Sequence, residues 1–180
     1  MKLLSKLVFW IFGWKIKGGL PEGAKRYVVI VGPHTSAWDV VFGVAAIYLF
    51  DLPVRFLAKQ EAFKPPFGFL LKAWGGIPID RFSNNNVVDQ VVKMFEENEE
   101  FILALSPEGT RSKVHEFRKG FYYMALGAKV PIVMGYLDFK NKIAGIGPII
   151  HPTGNYEEDE KIIRTFYSAI EGKHIDKGIN

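Results

Sequence analysis

The chain has 180 residues, 48% of them hydrophobic, which sets a single domain with a sizeable core and excludes a disordered polypeptide. It contains no cysteine, so disulfides, thiolate metal sites and a cysteine nucleophile are ruled out, and the composition fits a reducing compartment. The net charge of +4 is spread along the chain without a dense basic run, which argues against nucleic acid as a partner and suits an anionic lipid surface or a phosphorylated substrate.

The N-terminal segment, residues 1–17, is apolar and basic. Its uninterrupted apolar run, Leu7 to Trp14, is far short of the ~20 residues that span a bilayer. No small-x-small cleavage site follows it, which speaks against a signal peptide. A helix from Leu3 to Trp14, flanked by Lys2, Lys6, Lys15 and Lys17, reads as an amphipathic helix lying in a membrane interface. The alternative is a helix packed on the domain's own core. Gly18-Gly19 and Pro21-Glu22-Gly23 then turn the chain into residues 18–180, read as one domain.

Tyr27 to Val31 is an apolar, β-branched run that reads as a buried strand, and Val40 to Phe50 reads as a helix. Between them lies Gly32-Pro33-His34-Thr35-Ser36-Ala37-Trp38-Asp39. A histidine where a strand ends and a helix begins sits where α/β folds place reactive groups. With the helix starting near Ser36, Asp39 falls in its first turn and can fold back to accept a hydrogen bond from the imidazole. That contact would fix the ring tautomer and favour the imidazolium formed when His34 takes a proton. The plainer reading is a loop histidine beside an aspartate that complements the positive end of a helix.

Val54 to Ala58 reads as a second strand, with Lys59 at its carboxyl end. Pro65-Pro66 opens a short helix, Phe67 to Trp74, closed by Gly75-Gly76. Ile77-Pro78-Ile79 is a short strand whose proline suits a sheet edge, and it leads to Asp80-Arg81. Ser83 to Asn86 starts a helix whose apolar face is Val87, Val88, Val91, Val92 and Phe95. Phe101 to Leu105 is a strand running into Ser106-Pro107-Glu108-Gly109-Thr110-Arg111-Ser112. Phe121 to Leu126 reads as a helix, Ile132 to Tyr136 and Lys142 to Ile146 as strands. Ile162, Ile163, Phe166, Tyr167 and Ile170 give a closing amphipathic helix. This alternation implies an α/β fold with a largely parallel central sheet flanked by helices.

In a parallel sheet the strand carboxyl ends share one edge. His34 with Asp39, Lys59, Asp80-Arg81 and Glu108-Gly109-Thr110-Arg111 would then line one cleft. Arginine grips phosphate with a bidentate fork and lysine adds a point charge, so such an edge suits a phosphorylated substrate. Gly109 permits close backbone approach, and Glu108 would hold Arg111 or bind a substrate hydroxyl; a surface Glu108–Arg111 ion pair is the alternative. Backbone N–H groups near Ser36 are candidates for an oxyanion site. Phe63, Phe67, Phe69, Leu70, Leu71 and Trp74 are candidates for an apolar groove, or simply core. His115, His151 and His174 are read as having no role.

The chain resembles the glycerolipid acyltransferases typified by 1-acylglycerol-3-phosphate acyltransferase. His34-Thr35-Ser36-Ala37-Trp38-Asp39 matches the family's H-x4-D block, Gly76-Ile77-Pro78-Ile79-Asp80-Arg81 is similar to the second block, Pro107-Glu108-Gly109-Thr110-Arg111-Ser112 matches the third, and Val130-Pro131-Ile132-Val133 resembles the fourth. The chain departs at Ser106, where phenylalanine is usual, and at Met134-Gly135, where a second proline is usual. The resemblance implies a glycerol-3-phosphate acyltransferase-like fold and transfer of a fatty acyl group from acyl-CoA or acyl carrier protein to the hydroxyl of a lysophospholipid. With 1-acylglycerol-3-phosphate as acceptor, the product would be phosphatidic acid. By that carry-over His34 is the general base and Asp39 its partner. Arg81, Glu108 and Arg111 fall in the blocks associated with the acceptor's phosphate end, and with Gly109, Thr110 and, from its strand-end position alone, Lys59 they are the substrate-binding candidates; no metal and no cofactor beyond the thioester donor is expected. The enzyme would be peripheral, on the cytoplasmic side of the membrane and held by the N-terminal helix. Other readings are a different lipid acceptor, such as another lysolipid or an acylated amino acid, and a non-catalytic lipid-binding protein. A metal-dependent hydrolase built on His34, Asp39, Glu108 and His115 is a further reading, against which stands the lack of close ligand spacing.

Overall fold

The structure, a computed structural model, describes residues 1–21, 23–65, 68–79 and 87–178. At its centre is β2 (Arg26–Gly32), whose apolar run alternates between two cores as an extended chain must. Val28 and Ile30 face one hydrophobic cluster, and Tyr27 and Val29 face the other. On one side β2 pairs in parallel with β5 (Phe101–Leu105), then β3 (Val54–Lys59) and the edge strand β4 (Gly76–Ile79). On the other it pairs in parallel with β6 (Ile132–Asp138). Pro78 sits on that edge strand, where a missing N–H costs no central ladder bond.

Two departures from the sequence reading concern the opposite edge. β7 (Ile143–Ile150) runs antiparallel to β6, because the link between them is a tight turn and a parallel return needs a long crossover. Asp138 closes that turn, accepting hydrogen bonds from the Asn141 backbone N–H at 3.0 Å and its side-chain amide at 2.7 Å. Lys15–Lys17, read with the N-terminal helix, instead form β1, the outermost strand, parallel to β7.

Helices cover both faces. α4 (Val87–Glu97), α5 (Gly120–Ala128) and α6 (Tyr156–Ser168) pack on the Val28/Ile30 face. The α6 N-terminus is held by Asp159, whose Oδ2 accepts from the Tyr122 hydroxyl at 2.7 Å and the Thr153 N–H at 2.8 Å. Near its other end the Tyr167 hydroxyl shares its one hydrogen between the carbonyls of Ile30 and Gly135, each 2.9 Å from the phenol oxygen. Burial, with the Glu108 carboxylate nearby, holds that hydroxyl well above the ordinary phenol range, so it stays a donor. The Tyr167 ring also explains Gly32, where a Cβ would lie 3.2 Å from a ring carbon. The last turn of α6 thus props up the end of β2, where the His34 loop begins.

α1 (Lys2–Phe12), α2 (Trp38–Leu49) and the short α3 (Gly68–Ala73) complete the layers, with a 3-10 turn at Gln60–Phe63. α1 has two apolar faces of different fate. Phe9 joins Trp14, Phe42, Ala45, Leu137 and Ala144 in a core, where Trp14 stacks on Phe42 with ring centroids 4.1 Å apart. Leu3, Leu7 and Trp10 point to solvent. Phe9 is 5% exposed and Trp10 80%. Phe9→Ala should therefore lower unfolding stability by about 3–5 kcal/mol through lost burial and a cavity. Trp10→Ala should change it by no more than about 0.5 kcal/mol; urea unfolding of the two variants checks the assignment of faces.

Candidate active site

The site grows from the register of β2 and β5. Ile30 is paired with Leu105, so the loops that follow these strands leave the sheet side by side. The first loop wraps around a single carboxylate oxygen. Asp39, in the first turn of α2, turns its Oδ2 back to accept from the backbone N–H groups of Thr35 at 2.8 Å and Ser36 at 2.7 Å. The same oxygen lies 3.0 Å from His34 Nδ1. The Asp39 side chain is 4% exposed and its Oδ1 has no hydrogen-bond partner among the described residues. Nδ1 therefore carries the ring hydrogen, which leaves the Nε2 lone pair as the outward acceptor. The imidazole itself is 26% exposed, open to a substrate.

The second loop approaches from β5. Glu108 is 2% exposed, and its Oε2 accepts the His34 backbone N–H at 2.6 Å. Among the described residues no ion pair joins it to Arg111; the buried carboxylate fastens the histidine's own backbone. Arg111 is exposed and its Nε donates to His34 Nε2 in a long hydrogen bond of 3.4 Å. A guanidinium thus stands beside the nitrogen that would accept a proton. Thr110 Oγ1 accepts from the Ser112 N–H at 3.3 Å, which turns the loop rather than leaving the hydroxyl free. Gly109 has φ +65°, and a Cβ there would fall 2.5 Å from Arg118 Nε. Its bareness is needed by the turn and by the Arg118 side chain.

Arg118 was not singled out from the sequence, although Phe117-Arg118-Lys119-Gly120 just before a helix is a legible basic pair. Its N–H donates to the Pro107 carbonyl at 2.8 Å, which brings a second arginine to the Glu108–Arg111 loop. Lys59 ends β3 on the same edge of the sheet and is exposed. One strand lies between β3 and β2, which puts Lys59 roughly 10 Å to the side at ordinary strand spacing. Among the described residues it makes no hydrogen bond to His34, Glu108 or Arg111. Asp80 and Arg81 follow β4 and lie outside the described residues.

Two expectations are corrected. The N–H groups of Thr35 and Ser36 are both spent on Asp39, so they are not free to hold an oxyanion. Ser36 is buried, and its hydroxyl accepts from the Trp38 N–H at 3.2 Å in a turn ahead of α2. The aromatic stripe near α3 is divided: Phe63 and Leu71 are half-buried, Phe69, Leu70 and Trp74 are exposed, and Phe67 lies outside the described residues. An apolar cleft lies instead between α2 and the sheet, lined by Val29, Val31, Gly43, Ala46, Ile47 and Phe50 among others. As for the hydrolase reading, no three His, Asp or Glu side chains among the described residues converge as a metal-ligand set.

A mostly parallel α/β sheet carrying a His–Asp pair after its central strand, with an arginine against the free imidazole nitrogen, defines a class of site suited to deprotonating a hydroxyl near an anionic group. The sequence profile of the Acyltransferase family matches residues 17–135. This chain belongs to that family. It is 30% identical over 138 residues to a 1-acyl-sn-glycerol-3-phosphate acyltransferase of Limnanthes douglasii, covering 73% of this chain and 48% of the relative. For a 1-acyl-sn-glycerol-3-phosphate acyltransferase of Cocos nucifera the identity is 27% over 135 residues, covering 72% and 43%. The chain thus spans about half the length of the relatives it matches. The crystal structure of PlsC, the 1-acyl-sn-glycerophosphate acyltransferase of Thermotoga maritima, shares the fold. Its TM-score is 0.66 at 19% identity, over 93% of this chain and 75% of that one.

The three-donor grip on Asp39 Oδ2 makes a prediction about stability. Asp39→Ala strands two buried N–H groups and should cost about 2–4 kcal/mol in urea unfolding. Asp39→Asn keeps an oxygen where Oδ2 was and a nitrogen where the unpartnered Oδ1 was, so it should cost about 1 kcal/mol or less. Equal losses would mean that the carboxylate, not the loop it organises, sets the stability.

Proposed function

We propose that this chain is an acyltransferase that moves a fatty acyl group from a thioester donor, acyl-CoA or acyl carrier protein, to the hydroxyl of a lysophospholipid. The acceptor that fits best is 1-acylglycerol-3-phosphate, giving phosphatidic acid. The observation that carries this reading is the His34 imidazole, with Nδ1 on Asp39 and Nε2 turned outward beside Arg111. A hydroxyl attacks a thioester poorly unless its proton is taken as the new bond forms, and a positioned histidine contributes ~10²–10⁴-fold. In this mechanism the acceptor hydroxyl donates to Nε2 and its oxygen attacks the thioester carbonyl. The proton passes to His34, and the Asp39 carboxylate stabilises the resulting imidazolium. As the tetrahedral intermediate collapses, the C–S bond breaks and the imidazolium returns the proton to the leaving thiolate.

Arg111 links recognition to this step. Its Nε–H points at the Nε2 lone pair. A phosphate offers the guanidinium a stronger, charge-assisted partner. Drawing Arg111 onto the phosphate frees Nε2 and leaves the acceptor's hydroxyl within reach of it. Arg118 adds positive charge on the same loop, and Lys59 and Arg81 are assigned to the outer part of the acceptor site. The acyl chain is assigned to the apolar cleft under α2, the helix whose first turn holds Asp39. A thioester is already activated, so the reaction asks for neither metal nor further cofactor. A lipid-binding role without catalysis leaves the His–Asp pair unexplained, since binding alone needs no base.

The test is product analysis with a panel of lysolipids and acyl-CoAs. His34→Ala should lower turnover by ~10²-fold or more with an unchanged melting temperature. Arg111→Ala should lose roughly tenfold or more in kcat/KM for a phosphorylated acceptor, and much less in acceptor-free thioester hydrolysis. Wild-type turnover in a folded His34→Ala protein would sink the mechanism. Equal loss in both Arg111→Ala assays would move the arginine to the donor, and acylation of an unphosphorylated acceptor alone would move the protein to another lipid substrate.

We further infer that the protein is peripheral, on the cytoplasmic face of a membrane. Among the described residues no helix is long and apolar enough to cross a membrane. The outer face of α1, with Leu3, Leu7, Trp10 and Ile11, continues onto Val40, Val41 and Val44 of α2, and all are exposed. Such a face, bordered by Lys6 and Lys15, suits the interface of an anionic bilayer. Because Phe9 and Trp14 belong to the core, removing the whole segment would also disturb the fold. Changing only Leu7, Trp10 and Ile11 to Ser avoids this and should cut co-sedimentation with anionic vesicles by tenfold or more. Activity on a detergent-dispersed acceptor should be kept; undiminished vesicle binding would remove α1 from the lipid contact.

A further inference from the structure

Beyond α6 the chain turns back across the carboxyl edge of the sheet. Residues 169–178 pass along the β6–β7 turn, where the Phe139 N–H donates to the Glu171 carbonyl at 2.9 Å. They then reach both loops of the site. The His174 N–H donates to Thr35 Oγ1 at 3.3 Å. The Val114 N–H, just past Arg111-Ser112-Lys113, donates to the Gly178 carbonyl at 2.9 Å. The Lys173 ammonium stands 4.5 Å over the Trp38 ring. One segment is therefore fastened to the loop that holds His34 and to the loop that holds Arg111.

The two glycines of this strap are explained by what they touch. A Cβ at Gly172 would lie 2.6 Å from Thr35 Cγ2 and 2.8 Å from Thr35 Oγ1. At Gly178, where φ is +79°, it would lie 3.2 Å from Thr35 Cγ2 and 3.3 Å from Pro33 Cβ. Thr35 is 2% exposed and fully employed. Its N–H is on Asp39, its hydroxyl is on the strap, and its methyl lies against both glycines. The residue before it is His34. A strap that only covered core would not need its backbone pressed onto one residue of the catalytic loop.

We propose that Thr35 and the strap Gly172–Gly178 are positioning elements of the active site, clamping the His34 loop and the Arg111 loop in one relative placement. The proposal rests on the acyltransferase reading above. Its physical basis is that displacing a reacting group by about 1 Å costs on the order of 10²-fold in rate. The Glu108–His34 bond joins the two loops at one point, which leaves them free to pivot about it. The strap adds contacts to each loop away from that point, and none of its residues needs to touch the substrate.

The test uses the full chain with Gly172→Ala, Thr35→Ser and the double variant. The new Cβ in Gly172→Ala pushes the strap off Thr35, and kcat should fall at least tenfold with KM for the acceptor within about threefold. Thr35→Ser removes Cγ2, the atom that the Cβ meets first, so the double variant should regain part of the kcat lost in Gly172→Ala. Losses that simply multiply overturn the proposal, as does wild-type kcat in Gly172→Ala. A second readout does not depend on turnover. In ¹⁵N NMR the wild-type His34 Nδ1–H should give a sharp, low-field resonance, and Gly172→Ala should broaden or lose it while the amide spectrum stays dispersed. An unchanged resonance overturns the proposal even where no acyl transfer is found in the wild type, which separates its failure from failure of the acyltransferase reading. Should Gly172→Ala not fold, Thr35→Val, which keeps the shape and drops the acceptor of the His174 N–H, takes its place with the same two readouts. There a kcat loss of at least threefold with a broadened resonance supports the clamp, and wild-type values in both overturn it.

Discussion

Asp39 Oδ2 is the point on which the site turns. One oxygen takes the Thr35 and Ser36 N–H groups and the His34 Nδ1–H. These contacts do different kinds of work. The two backbone bonds decide the path of the loop, and the imidazole bond decides the tautomer. Because both depend on one atom, the loop cannot relax without releasing the ring. The start of α2 contributes as well, since a carboxylate in a first turn faces the positive end of the helix dipole. The loop therefore has a structural need for an acceptor at Oδ2 before any chemistry is considered, and the charge on that acceptor is what the proposed chemistry adds.

The sheet supplies the second constraint. Parallel pairing of β2 with β5 brings the carboxyl ends of two strands far apart in sequence to the same place, 74 positions separating His34 from the Glu108 that accepts its N–H. Glu108 is buried and would be costly there without partners. It takes the His34 N–H from one side and lies near the Tyr167 hydroxyl below, which itself holds the ends of β2 and β6. Two buried polar groups, one from α6 and one from the loop after β5, thus support the end of β2 and the histidine backbone. Arg111 stays exposed beside His34, as the anion-binding role proposed for it requires.

The readable parts of this architecture were those written in local pattern. Tyr27 to Val31 and Phe101 to Leu105 are apolar runs bounded by turn residues, and both are central strands. The five-residue step from His34 to Asp39 across a helix start is enough to bring the two side chains together, because helical geometry fixes where Asp39 points. Pro78 marked an edge strand correctly because proline has no N–H to give. What local pattern did not carry were contacts set by long-range topology. Glu108 reads as a loop residue beside Arg111, and only strand pairing reveals that it faces His34. Lys15–Lys17 has no strand signature of its own and is recruited by the free edge of β7. The residues after α6 carry no motif at all, and their glycines acquire meaning only once Thr35 is placed against them.

The same division runs through α1 and α2. Phe9, Phe42 and Ala45 point inward and build a small core with Trp14, while Leu3, Leu7, Trp10, Val40, Val41 and Val44 point out. A helix with apolar side chains on both faces has to hide the second one, and a face of this size beside the first turn of the catalytic helix is costly in water. Under the proposed membrane association lipid would remove that cost, with a second consequence. α2 carries Asp39 at its start, so a bilayer seating the outer face of α2 would also set the height of His34 above it. The acceptor of the proposed reaction keeps its acyl chain in that bilayer and its hydroxyl and phosphate at the surface. Membrane docking and substrate alignment would then be one geometric requirement, met by the two faces of a single helix pair.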